Sequence, residues 1–286
     1  MTYLITGATG DVGSRVVEQL LQSGERPRVF VRDAEKARAR FGDRVEIFVG
    51  DLADPATLKP ALEDVDALFL VNIGPQIPAR DEAAVQAAKA AGVKHLVKLS
   101  SMDVQQGLAI GAWHERGEAA VRASGIPFTF VQPTGFMSNF LLWARSIKAE
   151  GMVRASTGNG RVAFIHADDI AAVVFKALTT RKYDGKSLPI TGPEALSYAE
   201  VTAKIGFAIG KPLRFQPISD DEARQRYSAR GASQPASQPD IEAHVSLWQA
   251  IREGRLAAIT DVVERVLGRK PIALEQWAVE NAGAFL

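Results

Sequence analysis

An α/β fold built on a doubly wound parallel sheet is predicted by three observations. Short apolar, β-branched segments alternate with amphipathic helical segments through residues 1–133. A glycine triplet stands between the first of those strands and the first helix, and after residue 133 the pattern becomes mainly helical. A chain of 286 residues can bury a large core, as one big domain or as a large domain with a smaller lobe. The expected division is a first domain over 1–133, onto which segments near 163–192 pack back, and a smaller, discontinuous lobe drawn from 134–286.

The strand candidates in order are TYLIT (2–6), PRVFVR (27–32), VEIFVG (45–50), ALFLVN (67–72), HLVKLSS (95–101) and FTFVQP (128–133). They read as near-continuous apolar runs, as strands covered on both faces should. Helices fit between them; over 12–23, Val16, Val17, Leu20 and Leu21 share one face. An aromatic helix is expected over 136–149. HADDI (166–170) reads as a helix start, with Asp168 and Asp169 at its positive end. SLPITG (187–192) is a further strand able to extend the sheet, and LRFQPI (213–218) a short strand-like piece among helices. The run SARGASQPASQPD (228–240) reads as a loop, either a flap over a site or a surface linker.

Composition narrows the function. The formal net charge of +1 gives no electrostatic reason to expect nucleic acid. No cysteine is present, which excludes disulfides, thiolate nucleophiles and cysteine-ligated metals. The four histidines, His95, His114, His166 and His244, show no metal-ligand spacing, so no metal is expected. No apolar run reaches the roughly 18–20 residues of a membrane span. With no leader pattern before the first strand, a cytoplasmic protein is expected, as a monomer or homodimer.

In TYLITGATGDVGSRVVEQLL the three glycines have different tasks. Gly7 permits the tight turn, Gly10 lets backbone N–H groups approach a pyrophosphate, and Gly13 lets helix and strand pack closely. Thr9, Asp11 and Val12 belong to the same turn and are counted with it. The helix N-terminus adds partial positive charge toward the anion. This is the phosphate-binding turn of a Rossmann-type dinucleotide fold. The second strand ends in Arg32, with Asp33 next and Lys36 and Arg38 following. A guanidinium there suits a 2′-phosphate, which favours NADP(H); Asp33 keeps NAD(H) possible. Asp51 and Leu52 follow the third strand where adenine is contacted, although Asp51 alone is also a reasonable helix cap. Asn72 and Ile73 end the fourth strand, Ser100 the fifth and Gln132 the sixth, all at the carboxyl edge where such sheets bind ligand.

In combination, the motifs TGATGDVG, VRD, GDLADPATL, HLVKLSS, WHERGEAAVRASGIPFTFVQPTGFMSN, HADDIAAV and VVERVLGRKPIALEQWAVENAGAF resemble the NmrA-like group of atypical short-chain dehydrogenases over nearly the whole chain. The resemblance implies the fold and the cofactor. It implies the reaction only loosely, because relatives include reductases of quinones, azo dyes and triphenylmethane dyes as well as redox sensors that bind dinucleotide without turning it over.

Ordinary short-chain dehydrogenases carry a Tyr-x-x-x-Lys pair on the helix that here holds His114 and Glu118 at the same spacing. His114 is the candidate proton donor, with Glu118 supporting its protonated form; the alternative is a plain structural pair. Without the Tyr–Lys pair, acceptors that delocalise charge, such as a quinone, an azo compound or an imine, are favoured. Ser101, Met102, Phe136, Met137, Phe140 and Trp143 are candidates for the substrate pocket, the aromatic stripe being equally readable as core. His166 is expected to support its loop. The reading is an NADPH-preferring oxidoreductase acting on a small conjugated or aromatic substrate; the alternative is a non-enzymatic redox sensor working through a protein partner.

Overall fold

The computed structural model describes residues 1–229 and 237–286. Its strands are β1 (Tyr3–Thr6), β2 (Arg28–Val31), β3 (Glu46–Val49), β4 (Ala67–Leu70), β5 (His95–Leu99), β6 (Phe128–Pro133), β7 (Met152–Ala155), β8 (Arg161–Val162), β9 (Lys186–Ile190), β10 (Leu196–Ser197) and β11 (Arg214–Pro217). The helices are α1 (Asp11–Gln22), α2 (Ala34–Phe41), α3 (Lys59–Leu62), α4 (Ile77–Ala90), α5 (Ala109–Ser124), α6 (Ala144–Glu150), α7 (Ala167–Thr179), α8 (Tyr198–Ala208), α9 (Asp220–Ser228), α10 (Gln238–Arg252), α11 (Val262–Leu267) and α12 (Leu274–Glu280).

Two compact units share the chain, and neither is continuous. The first comprises Met1–Val104, Gly111–Pro133 and Ala167–Pro189; the second comprises Gln105–Ile110, Thr134–His166 and Ile190–Leu286. In the first, a seven-stranded sheet has the order β3-β2-β1-β4-β5-β6-β9, with β1 to β6 all paired in parallel. The order steps outward from β1 in both directions, which is the doubly wound topology, and its switch point lies between β1 and β4. Leu4, Leu68, Leu70, Leu96 and Phe130 point from these strands into an apolar layer completed by Leu58, Leu62, Val85 and Val121. Burial on this scale is what holds short four-residue strands in one sheet.

In the second unit, β7 and β11 pair in parallel, with Val153 opposite Phe215, and β8 and β10 pair antiparallel. The expected aromatic helix over 136–149 takes a different form. Residues Met137–Trp143 are a 3₁₀ helix, and α-helical geometry begins only at Ala144. With about three residues per turn, positions i and i+3 eclipse, so Met137, Phe140 and Trp143 share the buried face and Phe136 lies off it. Phe140 is the hub of an aromatic cluster: its ring lies 4.8 Å from Trp143, 4.6 Å from Phe164 and 5.6 Å from Trp277. Of the loop expected over 228–240, Ser228 instead ends α9 and residues 238–240 open α10; residues 230–236, where its centre falls, lie outside the described residues.

Phe140→Ala should destabilise the protein by about 3–5 kcal/mol. Urea unfolding would check this, and a variant with unchanged stability would show that Phe140 is not core.

Candidate functional site

The sharp turn between β1 and α1 is built as the sequence requires. Gly7 has φ +61°, in the left-handed region, and a Cβ on Gly13 would overlap Gly7 O. The N-cap of α1 is Gly10, which offers no side-chain acceptor, so the first N–H groups of the helix have no capping side chain. Val12 is buried, Thr9 half-buried, and Asp11 turns to Arg15, which also reaches Asp168 on α7 at 2.6 Å. A turn with uncapped, aligned N–H donors has the chemistry to hold a pyrophosphate.

At the end of β2, Arg32 and Lys36 are exposed. Asp33 is the N-cap of α2, accepting from Lys36 N at 3.0 Å. Asp51 accepts from Ala53 N at 2.9 Å and so caps its own turn; Leu52 is half-buried against the sheet's apolar layer. Ile73 is 79% exposed, whereas Asn72 beside it is buried.

Behind that edge lies a buried polar network. Asn72 Nδ2 donates to Asp81 Oδ1 at 2.7 Å, and Lys98 Nζ lies 2.6 Å from Asp81 Oδ2 with neither Asp81 nor Lys98 open to water. On α5, Glu118 is buried as well. Its Oε1 accepts from Ser100 Oγ at 2.6 Å and from Gln132 Nε2 at 2.7 Å, and its Oε2 from Arg122 at 2.8 Å. The helix comes this close because residue 117 is glycine: a Cβ there would overlap the Asp81 carboxylate and press on Lys98.

The network corrects the expected role of Glu118. Its carboxylate is occupied by Ser100, Gln132 and Arg122, so it is not a dedicated partner for an imidazolium at position 114. His114 is buried, and its Nδ1 has no hydrogen-bond partner. Burial, with the nearby Lys98 charge adding to it, pushes the imidazole down to about 3, so His114 is neutral at physiological pH. Sequence reasoning missed Asp81 and Lys98. The signals were a lysine inside the apolar strand HLVKLSS and a glycine inside a helical pattern, which costs stability unless packing demands it.

Of the remaining candidates, Ser101 Oγ accepts from Asp103 N at 3.1 Å and Met102 is buried in the following turn. Met137, Phe140 and Trp143 belong to the core of the second unit, while Phe136 is half-buried. His166 is buried with Nε2 3.2 Å from Glu280 Oε2, a structural contact within that unit.

A glycine turn opening onto uncapped helical N–H groups, at the switch point of a doubly wound sheet, defines a dinucleotide-binding protein. The chain belongs to the NAD(P)H-binding family, whose model matches residues 7–181. It is 41% identical to the (4-alkanoyl-5-oxo-2,5-dihydrofuran-3-yl)methyl phosphate reductase of Streptomyces griseus, covering 99% of this chain and 98% of that one. It is 38% identical to the NAD(P)H azoreductase of Xenophilus azovorans, again over 99% and 98% of the two chains. The NADPH-dependent quinone oxidoreductase of Escherichia coli, solved with NADPH, shares the fold at a TM-score of 0.86 and 24% identity, with 98% of this chain and 99% of that one covered. The NmrA-like resemblance drawn from the motifs is borne out, and the chain is an NAD(P)H-dependent reductase.

Two buried histidines contribute to the acid sensitivity of the fold. His95 in β5 is pushed down to about 4, chiefly by burial and also by Arg181, against the opposing pull of Asp184. Both His95 and His114 are neutral when folded and take up a proton near pH 6.5 when unfolded, so their contribution is complete above pH 6.5 and is lost as pH falls toward about 4 for His95 and about 3 for His114. Denaturant midpoints should therefore drop over pH 6.5 to 4, and His95→Gln should flatten that slope.

Proposed function

We propose that this protein is an NADPH-preferring oxidoreductase that reduces a small conjugated or aromatic acceptor, such as a quinone, an azo compound or an imine, without a charged proton donor from α5. The observation that carries this reading is the state of the pair at 114 and 118: a neutral, buried imidazole and a carboxylate enclosed by three donors. Neither group is set up to deliver a proton to a simple ketone as its carbon is attacked.

Conjugated acceptors avoid that requirement. The dinucleotide supplies the hydride when bound; the protein's own residues hold donor and acceptor in line. The electron pair released in the acceptor spreads onto oxygen or nitrogen and is protonated by water. Positioning then contributes most of the rate. The names of the two curated relatives support this class. The dihydrofuranone named for the Streptomyces reductase has a ring double bond conjugated to two carbonyls, and the azo group named for the Xenophilus reductase is an N=N bond that holds added charge on nitrogen.

Arg32 supports the choice of NADPH. It is exposed at the end of β2, while the neighbouring carboxylate, Asp33, is engaged as a helix cap rather than left for a ribose hydroxyl. Arg32→Ala should weaken NADPH binding about tenfold or more and NADH binding little; equal losses in a fluorescence titration would remove the 2′-phosphate assignment.

The reaction is tested by following NADPH oxidation at 340 nm with quinones, azo dyes, cyclic imines and simple ketones, for the wild type and His114→Leu. The expected result is turnover of conjugated acceptors that survives the substitution within about threefold, no step in rate between pH 6 and 7, and no ketone reduction. Tight NADPH binding with no turnover of any acceptor would instead mark a redox sensor.

A further inference from the structure

Asn72 and Ser100 come level with each other at the ends of neighbouring strands. β4 and β5 are parallel and their last paired residues are Leu70 and Lys98, so Asn72 and Ser100 each stand two residues beyond the same rung. Ser100 N also donates to Val131 O at 2.8 Å, so the alignment with β6 persists to the strand edge.

Each of these side chains ends against a buried carboxylate. A carboxylate only accepts, which fixes the direction of each bond. Asn72 must turn its amide nitrogen to Asp81, leaving Oδ1 on the other side. Ser100 has one proton, and Glu118 holds it at 2.6 Å. The two carboxylates are themselves fixed, Asp81 by Lys98 at 2.6 Å and Glu118 by Arg122 and Gln132. No protein donor reaches Asn72 Oδ1 or the lone pairs of Ser100 Oγ among the described residues.

We propose that Asn72 and Ser100 form an acceptor-presenting pair, its polarity imposed by Asp81 and Glu118, that receives the hydrogen-bond donors of the nicotinamide half of NADP(H): Ser100 the carboxamide NH2 and Asn72 the adjacent ribose hydroxyls. This rests on the NADP(H) reading of the site. Ser100 is thereby a specificity residue for the cofactor and not a hydrogen-bond donor to a substrate carbonyl, and Asp81 and Glu118 are positioning residues that act through Asn72 and Ser100. A ligand that brings an acceptor to the same place leaves buried lone pairs facing each other, which is the kind of mismatch a polar site rejects most strongly.

The test is equilibrium binding of three oxidised dinucleotides by calorimetry: NADP, its 3-acetylpyridine analogue, in which a methyl replaces the amide nitrogen, and its nicotinic acid analogue, in which a carboxylate replaces the whole carboxamide. 2′,5′-ADP, which lacks the nicotinamide half, serves as the reference ligand. The wild type should bind the acetyl analogue about tenfold and the carboxylate analogue about a hundredfold more weakly than NADP. Ser100→Ala should weaken NADP while leaving the acetyl analogue and 2′,5′-ADP unchanged, so that the tenfold gap closes. Glu118→Gln, whose amide carries donor and acceptor together, no longer forces Ser100 to donate, and should narrow the gap for the carboxylate analogue at least threefold with 2′,5′-ADP unaffected. A general loss of structure would instead weaken all four ligands together, and that result overturns the specific roles given to Ser100 and Glu118. Equal binding of the three dinucleotides by the wild type overturns the acceptor pair while the cofactor reading stands. Failure to bind NADP and 2′,5′-ADP alike would overturn the cofactor reading itself.

Discussion

Asp81 and Lys98 meet at 2.6 Å with neither side chain open to water, and much of the carboxyl edge of the sheet is arranged around that pair. Removing two charges from water costs several kcal/mol for each ion, offset only by close geometry and further hydrogen bonds. Asp81 gains one such bond from Asn72, which ties the end of β4 to α4. The pair also sets the approach of α5. Because Gly117 faces the carboxylate with no side chain, the helix can close over it, and that closure brings Glu118 to the ends of β5 and β6 and leaves His114 buried near the Lys98 charge. One buried charge pair thus governs three strand ends and the character of the imidazole.

Much of this was legible in the sequence, and the part that was not has an identifiable cause. The first six strands fall within a residue or two of their expected ranges, because strands covered on both faces leave an unbroken apolar signal. The glycine turn was readable for the same reason: each glycine answers a steric demand of that turn. The strand at 152–155 was not foreseen. It is half of a pair whose partner lies at 214–217, and no local pattern reports a partner some sixty residues away. The 3₁₀ segment escaped because three- and four-residue spacings overlap over a single turn, so Phe136 and Phe140 looked like neighbours when Phe140 and Trp143 are.

The site shows a further limit. Sequence spacing put His114 and Glu118 on one helical face, and it does so correctly; what it could not show is which other groups compete for the carboxylate. Ser100, Gln132 and Arg122 come from the ends of two strands and the next helical turn. A pairwise reading along one helix therefore left a charged donor and a plain structural pair both open, whereas the assembled environment gives a neutral ring. Family likeness shares this limit, since it places the residues without fixing their protonation. Acceptors that need little help with a proton fit the environment that results.

The interleaving of the two units has a consequence for synthesis. The first unit is missing α7 and β9 until the ribosome has passed residue 189, yet residues 134–166 belong to the second unit and emerge earlier. α1, which follows the glycine turn, packs on α7, and its Arg15 reaches Asp168 there. A nascent chain halted after β6 would expose an uncovered helix face and an open sheet edge, the kind of surface that recruits chaperones or other chains. The nucleotide fold and the segments inserted into it are therefore completed late and together, and neither can be cut out as a continuous fragment.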